Sequence, residues 1–318
     1  MTAFGLDEAV RRVLESCLAV RAGEDVLVVT DPRRRAIGEA LVAGARDMGA
    51  ETMLLEMSER ETNGTEPPGV VAAAMRASDV VVAPTTKSLT HTEARHVASQ
   101  AGARIATMPE VTEDMLVRVM QADHDAVRRR SRAVASLLTA GRTVTITSEA
   151  GTDLTLSIEG RRGMPDDGDL RGRGSCGNLP AGESFVAPVE GVARGRIVFD
   201  GSIWPLGLLP EPLVVDVSDG YATAFGGPCG DDFRAILEPH GRDAFALAEL
   251  GIGTNEAAQL TGNVLEDEKI LGTIHIAFGD NHSFGGKVRV ESHQDGVVLR
   301  PTVTIDDAVL LDAGRLLV

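Results

Sequence analysis

The chain has 318 residues, of which 43% are hydrophobic and 25% charged, a composition typical of soluble globular proteins. Its formal net charge of −16 argues against binding to nucleic acid, because such binding depends on Lys and Arg side chains that neutralise phosphates. No apolar run approaches the about 18–20 residues that span a bilayer, and the N-terminus lacks the layout of a signal peptide. The three cysteines lie far apart without Cys-x-x-Cys spacing, which argues against a disulfide framework, so we expect a cytoplasmic protein.

The N-terminal part of the chain alternates short β-branched runs with longer helix-forming stretches. The apolar residues between Leu6 and Leu18 recur at helical spacing and predict a packed first helix. Beyond it, strands and helices are predicted in alternation at 25–30, 36–50, 52–57, 70–78, 79–85, 91–103 and 104–109. This alternation predicts an open, mostly parallel α/β sheet, although the segment TDPRRR after the first strand lacks the glycine-rich turn of a dinucleotide site.

The chain beyond residue 140 is dominated by period-two strands and Gly-containing turns. TVTITSEAGTDLTLSIEG predicts two strands around a turn, and the Asp-Gly pair in VVDVSDGYATAFGG predicts a hairpin. Residues 160–178 are rich in Gly, Asp and Arg and predict a loop, and helices are expected only around 229–250 and 254–260. We therefore predict two domains, an N-terminal α/β domain at 1–140 and a β-rich α+β domain at 141–318 that carries the candidate metal-binding residues.

Histidines cluster in the stretch HIAFGDNHSFGGKVRVESHQD, which holds His275, His282 and His293 out of seven in the chain. In a strand TIHIAFG, His275 lies on the face opposite the large apolar side chains. His293 and Asp295 stand at i and i+2 of a second predicted strand at 287–297, so their side chains project to the same side. These residues can converge on a metal ion. The alternative interpretation is a polar strand face in water, with His282 as a loop residue.

Two glutamates elsewhere have unusual surroundings. Glu183 follows Pro-Ala-Gly at the start of an apolar run, and Glu249 lies among Leu247, Leu250 and Ile252. A carboxylate in such a place is usually paired or metal-bound, because an unpaired buried charge is costly, although an ordinary hydrogen-bonded glutamate remains the alternative. The acidic segment VLEDEKI, 264–270, is interpreted as a helix-to-loop surface segment. Its residues Asp267 and Glu268 are minor candidates.

Several segments together resemble a known family: NLPAGESFVAPVEG, ELGIGTN, LEDEKILGTIHIAFGDN, SFGG and SHQDGVVLRPTVTIDD. They resemble the M29 metallopeptidases, the thermophilic-type aminopeptidases, and most closely the shorter bacterial members labelled leucyl aminopeptidase. The resemblance implies a homodimer that releases N-terminal residues from peptides by means of a metal-activated water. It also implies two divalent metal ions (Zn, Co or Mn), held by Glu183, Glu249, His275, His293 and Asp295, with Glu183 or His282 moving the proton.

The chain departs from the M29 pattern at three points. His282 stands where that family has a tyrosine ligand, so it could bind metal, act as an acid or base, or do neither. Gly182 precedes Glu183 where the peptidases often carry a second glutamate, and its loss could remove a general base. The spacing from His275 to His293 is also short, which removes a loop that could shape the substrate pocket.

Two other functions remain open from the sequence. His275, His293 and Asp295 form the two-His-one-carboxylate set of non-haem Fe(II) oxygenases. The ring-cleaving 2,5-dihydroxypyridine dioxygenases are similar to the M29 family and use such a triad, so the alternative function is a mononuclear Fe(II) ring-cleaving dioxygenase with a small-molecule substrate. A third hypothesis is a non-catalytic binding protein whose histidines lie on a polar β face.

Overall fold

The structure is a computed structural model that describes residues 4–318. Within that range the α-helices are α1 (Leu6–Arg11), α2 (Arg35–Asp47), α3 (Gly69–Ala77), α4 (Glu93–Ala101), α5 (Glu113–Val119), α6 (His124–Ala140), α7 (Gly230–Leu237) and α8 (Val264–Asp267). A π-helical segment continues α1, and three 3-10 turns occur later; these segments are Arg12–Cys17, Glu238–His240, Arg242–Phe245 and His282–Phe284. No helix among the described residues is long and apolar enough to cross a membrane.

The strands follow in chain order. The first ten are β1 (Asp25–Thr30), β2 (Glu51–Glu56), β3 (Val80–Thr85), β4 (Arg104–Pro109), β5 (Thr143–Thr147), β6 (Asp153–Ser157), β7 (Met164–Asp166), β8 (Cys176–Asn178), β9 (Glu183–Val186) and β10 (Arg194–Phe199). The others are β11 (Ser202–Ile203), β12 (Gly207–Leu208), β13 (Leu213–Ser218), β14 (Tyr221–Gly226), β15 (Leu247–Gly253), β16 (Ile274–Gly279), β17 (His293–Val298), β18 (Thr302–Ile305), β19 (Ala308–Asp312) and β20 (Arg315–Leu316).

The chain divides into two compact units. The first comprises the described residues up to His124 together with Gly168–Ala181, and the second comprises Asp125–Asp167 and Gly182–Val318. The sequence predicted a single boundary near residue 140, and this division differs from that prediction in two respects. Nearly all of α6 belongs to the second unit, where Val134 and Leu138 join the core, and the 168–181 segment returns to the first unit, where it adds a strand.

The first unit is built on a parallel sheet, here called sheet I, with the strand order β2-β1-β3-β4-β8. Helices follow its first strands, and β3 is buried along its whole length, as expected for a parallel sheet covered on both faces. The predicted open α/β sheet is therefore confirmed. The last strand, β8, lies in the 160–178 segment that was expected to be a loop. Its sequence Cys-Gly-Asn has no strand pattern, and pairing with β4 alone makes it a strand.

The second unit contains two antiparallel sheets. Sheet II has the order β14-β13-β10-β6-β5-β18-β19-β20, and sheet III has the order β12-β11-β17-β16-β15-β9-β7. Apolar side chains from both sheets form one hydrophobic core, which includes Ile197, Phe199, Val215, Leu250, Ile276 and Val298. One face of sheet III therefore packs into this core, and the polar side chains of the sheet lie on the other face.

The predicted helix at 229–250 is only partly present. The structure has α7 and two 3-10 turns, and then β15 from Leu247 to Gly253; residues 254–260 contain no helix. The apolar run LAELGIG is compatible with either structure by periodicity alone. Pairing with β9 on one side and β16 on the other makes it a central strand, and all its residues are buried.

Candidate metal centre

The polar face of sheet III begins with β16. Ile274, Ile276 and Phe278 enter the hydrophobic core, so His275 lies on the opposite face. Across the sheet, Gly251 of β15 is the register partner of His275, and a Cβ atom at that position would lie 1.9 Å from His275 Nε2. The missing side chain at Gly251 is what allows the imidazole to lie across the neighbouring strand.

Glu249 reaches this face because of an irregularity in β15. The register between β15 and β16 shifts between Leu247 and Glu249, while Leu250 continues in the core. Glu249 is therefore on the same face as Gly251 and keeps only 7% of its surface exposed. A carboxylate this deeply buried needs partners of opposite charge or hydrogen-bond donors.

Glu183 is the first residue of β9, next to β15. The residue before it, Gly182, has a φ of +139° in the left-handed half of conformational space, where glycine is favoured. A Cβ atom at Gly182 would lie 2.5 Å from the Cβ of Asn255. The structure thus has no space for the second glutamate that the peptidases often carry here, and the departure noted in the sequence has a packing cause.

His293 and Asp295 open β17 on the other side of β16. The strand starts at His293 rather than at 287 as expected, and its i, i+2 alternation brings His293 Nε2 to 3.5 Å from Asp295 Oδ1. The other ring nitrogen, Nδ1, lies 2.7 Å from the carbonyl oxygen of Asp280. If Nδ1 donates to that carbonyl, the Nε2 lone pair faces the carboxylates, which is the usual orientation of a metal-binding histidine.

The five predicted ligands therefore lie together. His275 Nε2 is 3.1 Å from Glu183 Oε2 and 3.2 Å from Glu249 Oε1, and the other oxygen of Glu249 is 3.4 Å from His293 Nε2. Three overlapping groups among the described residues have ligand atoms within 4.8 Å of one another: Glu183–Glu249–His275, Glu249–His293–Asp295 and Glu268–His275–Asp295. No group contains both imidazoles, because the Glu249 carboxylate stands between them.

Lys269 is the main feature of the site that the sequence interpretation missed. Its side chain is fully buried, and its Nζ donates to Glu183 Oε1 at 2.6 Å and to Glu268, with Asp166 Oδ2 at 3.8 Å. The segment 264–270 is therefore not a surface segment. Asp267 anchors it, because its carboxylate accepts hydrogen bonds from Ser202 and from the backbone of Thr261 and Gly262.

The charges in the cluster change the affinity of each group for protons. Burial lowers the pKa of His275, but the negative charges of Glu183 and Glu249 outweigh it and raise that pKa well above its ordinary value. Burial likewise lowers the pKa of His293, and the nearby Asp295 and Glu249 raise it well above the ordinary value. The carboxylates thus favour the protonated, positively charged form of both imidazoles when no metal ion is bound.

Glu268 behaves differently from the other carboxylates. Burial raises its pKa, the charge of Lys269 opposes this, and repulsion by Glu183 and Asp295 brings the pKa to about 8. For Glu183, burial also raises the pKa, but attraction to Lys269 and His275 outweighs it, so that the pKa falls below its ordinary value. The carboxylate that shares Lys269 with Glu183 is thus the one that most readily takes up a proton.

The donor set fits a divalent cation. It offers carboxylate oxygens and imidazole nitrogens, which suit Fe(II), Mn(II), Co(II) or Zn(II). A cation with two positive charges could also take over the neutralising role of the imidazolium protons. His275 Nδ1 finds no hydrogen-bond partner among residues 4–318, so the ring is held by its position over Gly251 and by the contacts of Nε2.

His282 is not part of this cluster. It lies exposed at the start of the 3-10 turn His282–Phe284, and none of the three groups of ligand atoms includes it. The geometry therefore gives no support to His282 as a ligand or as an acid or base. Its neighbour Phe284 does reach the site, because its ring packs edge-on against His293 with centroids 6.0 Å apart and against Phe185 at 5.5 Å.

Comparison with known proteins places this chain in a family of metal-dependent enzymes. The sequence model of the family described as NicX, 2,5-dihydroxypyridine 5,6-dioxygenase, matches residues 5–318. The chain therefore belongs to this family. A curated relative, the 2,5-dihydroxypyridine 5,6-dioxygenase of Pseudomonas putida KT2440, is 25% identical over 259 residues, which cover 76% of this chain and 71% of the relative.

Solved structures agree on the fold. The 2,5-dihydroxypyridine dioxygenase structure from Pseudomonas putida KT2440 has a TM-score of 0.85 at 20% identity and covers 98% of this chain and 96% of that chain. Wild-type AmpT from Thermus thermophilus, an M29 aminopeptidase, has a TM-score of 0.74 at 16% identity and covers 98% of this chain and 99% of that chain. The M29 resemblance is thus confirmed for the fold, and family membership favours the dioxygenase alternative over the aminopeptidase.

Proposed function

We propose that the protein is a mononuclear Fe(II) ring-cleaving dioxygenase that acts on a dihydroxylated nitrogen heterocycle, with 2,5-dihydroxypyridine as the first substrate to test. The observation that carries the proposal is that His275, His293 and Asp295 lie on the polar face of sheet III in a chain of this family, where Asp295 shares one group of ligand atoms with His275 and another with His293. Two histidines and one carboxylate are the ligand set of non-haem Fe(II) oxygenases.

The proposed roles of the protein groups follow from their contacts. His275, His293 and Asp295 hold the iron, and Glu249, between the two imidazoles, is a further oxygen donor next to them. The Asp280 carbonyl orients His293, and Gly251 leaves room for His275. When bound, Fe(II) supplies the redox chemistry that lets dioxygen react with an electron-rich ring.

The overall reaction needs no external reductant. One ring carbon–carbon bond breaks and both atoms of O₂ enter the product, so the electrons come from the substrate itself. The aromatic side chains beside His293 suit such a substrate, because Phe284 and Phe185 form an apolar wall against which a flat ring can pack.

The test is anaerobic loading of the purified chain with Fe(II), followed by addition of 2,5-dihydroxypyridine and air-saturated buffer. We expect oxygen uptake equal to substrate consumed, and a product that contains both oxygen atoms when ¹⁸O₂ is used. His293→Ala is the matched negative variant. Oxygen uptake by the loaded wild-type protein that is no faster than by His293→Ala, across a panel of dihydroxylated pyridines, would exclude the proposal.

A second candidate, a two-metal aminopeptidase using Zn, Co or Mn, is favoured by one observation. The Glu183–Glu249–His275 group supplies further ligand atoms beyond the triad. Against it, Gly182 has no room for a second glutamate, and Glu183 is paired with Lys269. Hydrolysis of aminoacyl anilides by protein loaded with two Zn²⁺, Co²⁺ or Mn²⁺ ions per chain would establish this candidate in place of the dioxygenase.

A further inference from the structure

Lys269 carries a positive charge within the cluster of candidate ligands. Its Nζ lies 2.6 Å from Glu183 Oε1, also bonds Glu268, and is fully buried. The backbone of the lysine is fixed, since its N–H donates to the Glu266 carbonyl at 2.9 Å and its carbonyl accepts from Asn255 N–H at 2.9 Å. The ion pairs with Glu183 and Glu268 and the complete burial of the side chain hold the ammonium in the cluster.

The ammonium competes with a metal ion for the same carboxylates. A metal ligated by the same Glu183 oxygen at about 2.0–2.2 Å would come within about 5 Å of Nζ, because Nζ lies 2.6 Å from that oxygen. Two positive charges this close repel each other strongly, because a buried site is shielded from bulk water. The hydrogen bonds from Nζ also occupy lone pairs that such an ion would need.

We propose that Lys269 restricts the cluster to a single divalent ion, because its ammonium takes the place that a second ion would occupy beside Glu183 and Glu268. This proposal rests on the proposed function, because both assume that the wild-type chain binds a single metal ion. It makes Lys269 a specificity-determining residue that separates a mononuclear site from a two-metal hydrolase site on one fold. It also assigns Glu183 Oε1 to the ammonium, so we expect the wild-type ion to be held without that oxygen.

The experiment is equilibrium dialysis of the chelator-stripped full chain against Mn²⁺, with bound ions counted by elemental analysis and folding checked by circular dichroism. The variants are Lys269→Met, which keeps the length of the side chain without its charge, and Lys287→Met, an exposed lysine of the same unit as the matched control. We expect one ion per chain for the wild type and for Lys287→Met. Lys269→Met should bind two, with the spin coupling of a manganese pair in its electron paramagnetic resonance spectrum.

The outcomes separate this inference from the proposed function. A folded Lys269→Met protein that still binds one ion would overturn the role of Lys269 and leave the mononuclear dioxygenase intact. A wild-type chain that binds two ions, or none, would overturn both.

A second variant decides the matter if Lys269→Met does not fold. Glu183→Gln keeps a hydrogen-bond acceptor for Lys269, so this variant should still bind one ion. Its Mn²⁺ affinity should lie within about threefold of the wild-type value. Loss of the ion in folded Glu183→Gln would identify Glu183 as a ligand and refute the assignment of its carboxylate to Lys269.

Discussion

The two ends of the buried polar cluster neutralise their carboxylates in different ways. At the lysine end, Glu183 and Glu268 surround the ammonium of Lys269, a cation that is part of the chain. At the imidazole end, Glu249 and Asp295 face His275 and His293, whose positive charge depends on bound protons. A proton can be exchanged for a metal ion and a lysine side chain cannot, so we place the proposed ion at the imidazole end.

Removal of an imidazole should have the largest effect. His293→Ala deletes a nitrogen ligand and removes the imidazole that faces both Glu249 and Asp295. We expect the Mn²⁺ affinity to fall by more than the about 10–100-fold typical of changes outside the ligand shell. Titration calorimetry would measure it, with His240→Ala, at an exposed histidine of the second unit, as the control. Equal affinities for the two variants would remove the imidazole end from the metal site.

The next largest effect is expected at Gly251, over which the imidazole of His275 lies. In Gly251→Ala the new Cβ would collide with the imidazole, so His275 must turn away from Glu249. We expect the Mn²⁺ affinity to fall by about 10–100-fold, as for other changes that disturb ligand orientation. Gly69→Ala is the matched control, because a Cβ there meets no atom within 4 Å. A Gly251→Ala protein with wild-type affinity would show that His275 does not need its present position.

The two ends should also differ in their response to pH. Because the pKa values of His275 and His293 are raised, protons compete with the metal, and the Mn²⁺ affinity should rise with pH until the pH exceeds those values. The slope should approach tenfold per pH unit for each proton displaced. Lys269 itself should contribute no such slope, because attraction by Glu183 and Glu268 outweighs burial and raises its pKa.

The stability of the metal-free protein should change in the opposite direction. Raised folded-state pKa values mean that proton binding stabilises the fold at low pH, and this contribution is lost as pH rises through the folded-state values. Urea unfolding of stripped protein at several pH values measures this effect, and dialysis against Mn²⁺ over the same series measures the affinity. An Mn²⁺ affinity that does not change with pH would contradict the exchange of protons for metal.

A smaller effect is expected at the aromatic wall beside the imidazole end. Phe284→Ala removes the ring that packs against His293 and Phe185, while the ligands keep their places. An aromatic contact contributes about 0.5–1.5 kcal/mol, so KM for a ring substrate should rise by about 2–10-fold. Iron content should stay at the wild-type level. Steady-state oxygen uptake together with iron analysis distinguishes this result from a loss of metal.

The smallest effect should come from His282→Ala. The side chain is exposed and lies outside all three groups of ligand atoms, so iron content and kcat should stay within about twofold of wild type. A large fall in kcat at unchanged iron content would restore His282 as an acid or base. That result would also mean that the 3-10 turn His282–Phe284 moves when substrate binds.

Parallel strands and ligand residues were predictable for different reasons. The first four strands of sheet I, β1 to β4, lie within one residue of their predicted bounds, because a strand covered on both faces is a continuous apolar run that its own sequence reveals. Glu183 and Glu249 could be singled out because a carboxylate in an apolar run is costly unless it has a partner. Lys269 could not be singled out, because a lysine in an acidic segment is typical of a protein surface.

The sequence by itself determined the α/β class and the alternation that puts His275, His293 and Asp295 on one face of their strands. It also showed the resemblance to the M29 metallopeptidases and the 2,5-dihydroxypyridine dioxygenases, between which the match to a family model decided. Only the tertiary structure decided that LAELGIG is a central strand, that β8 joins sheet I, and that Lys269 is buried against Glu183. Periodicity is a local property that each segment carries with it. Strand pairing and the neutralisation of buried charges join residues far apart in the chain, so they are settled only when the whole unit packs.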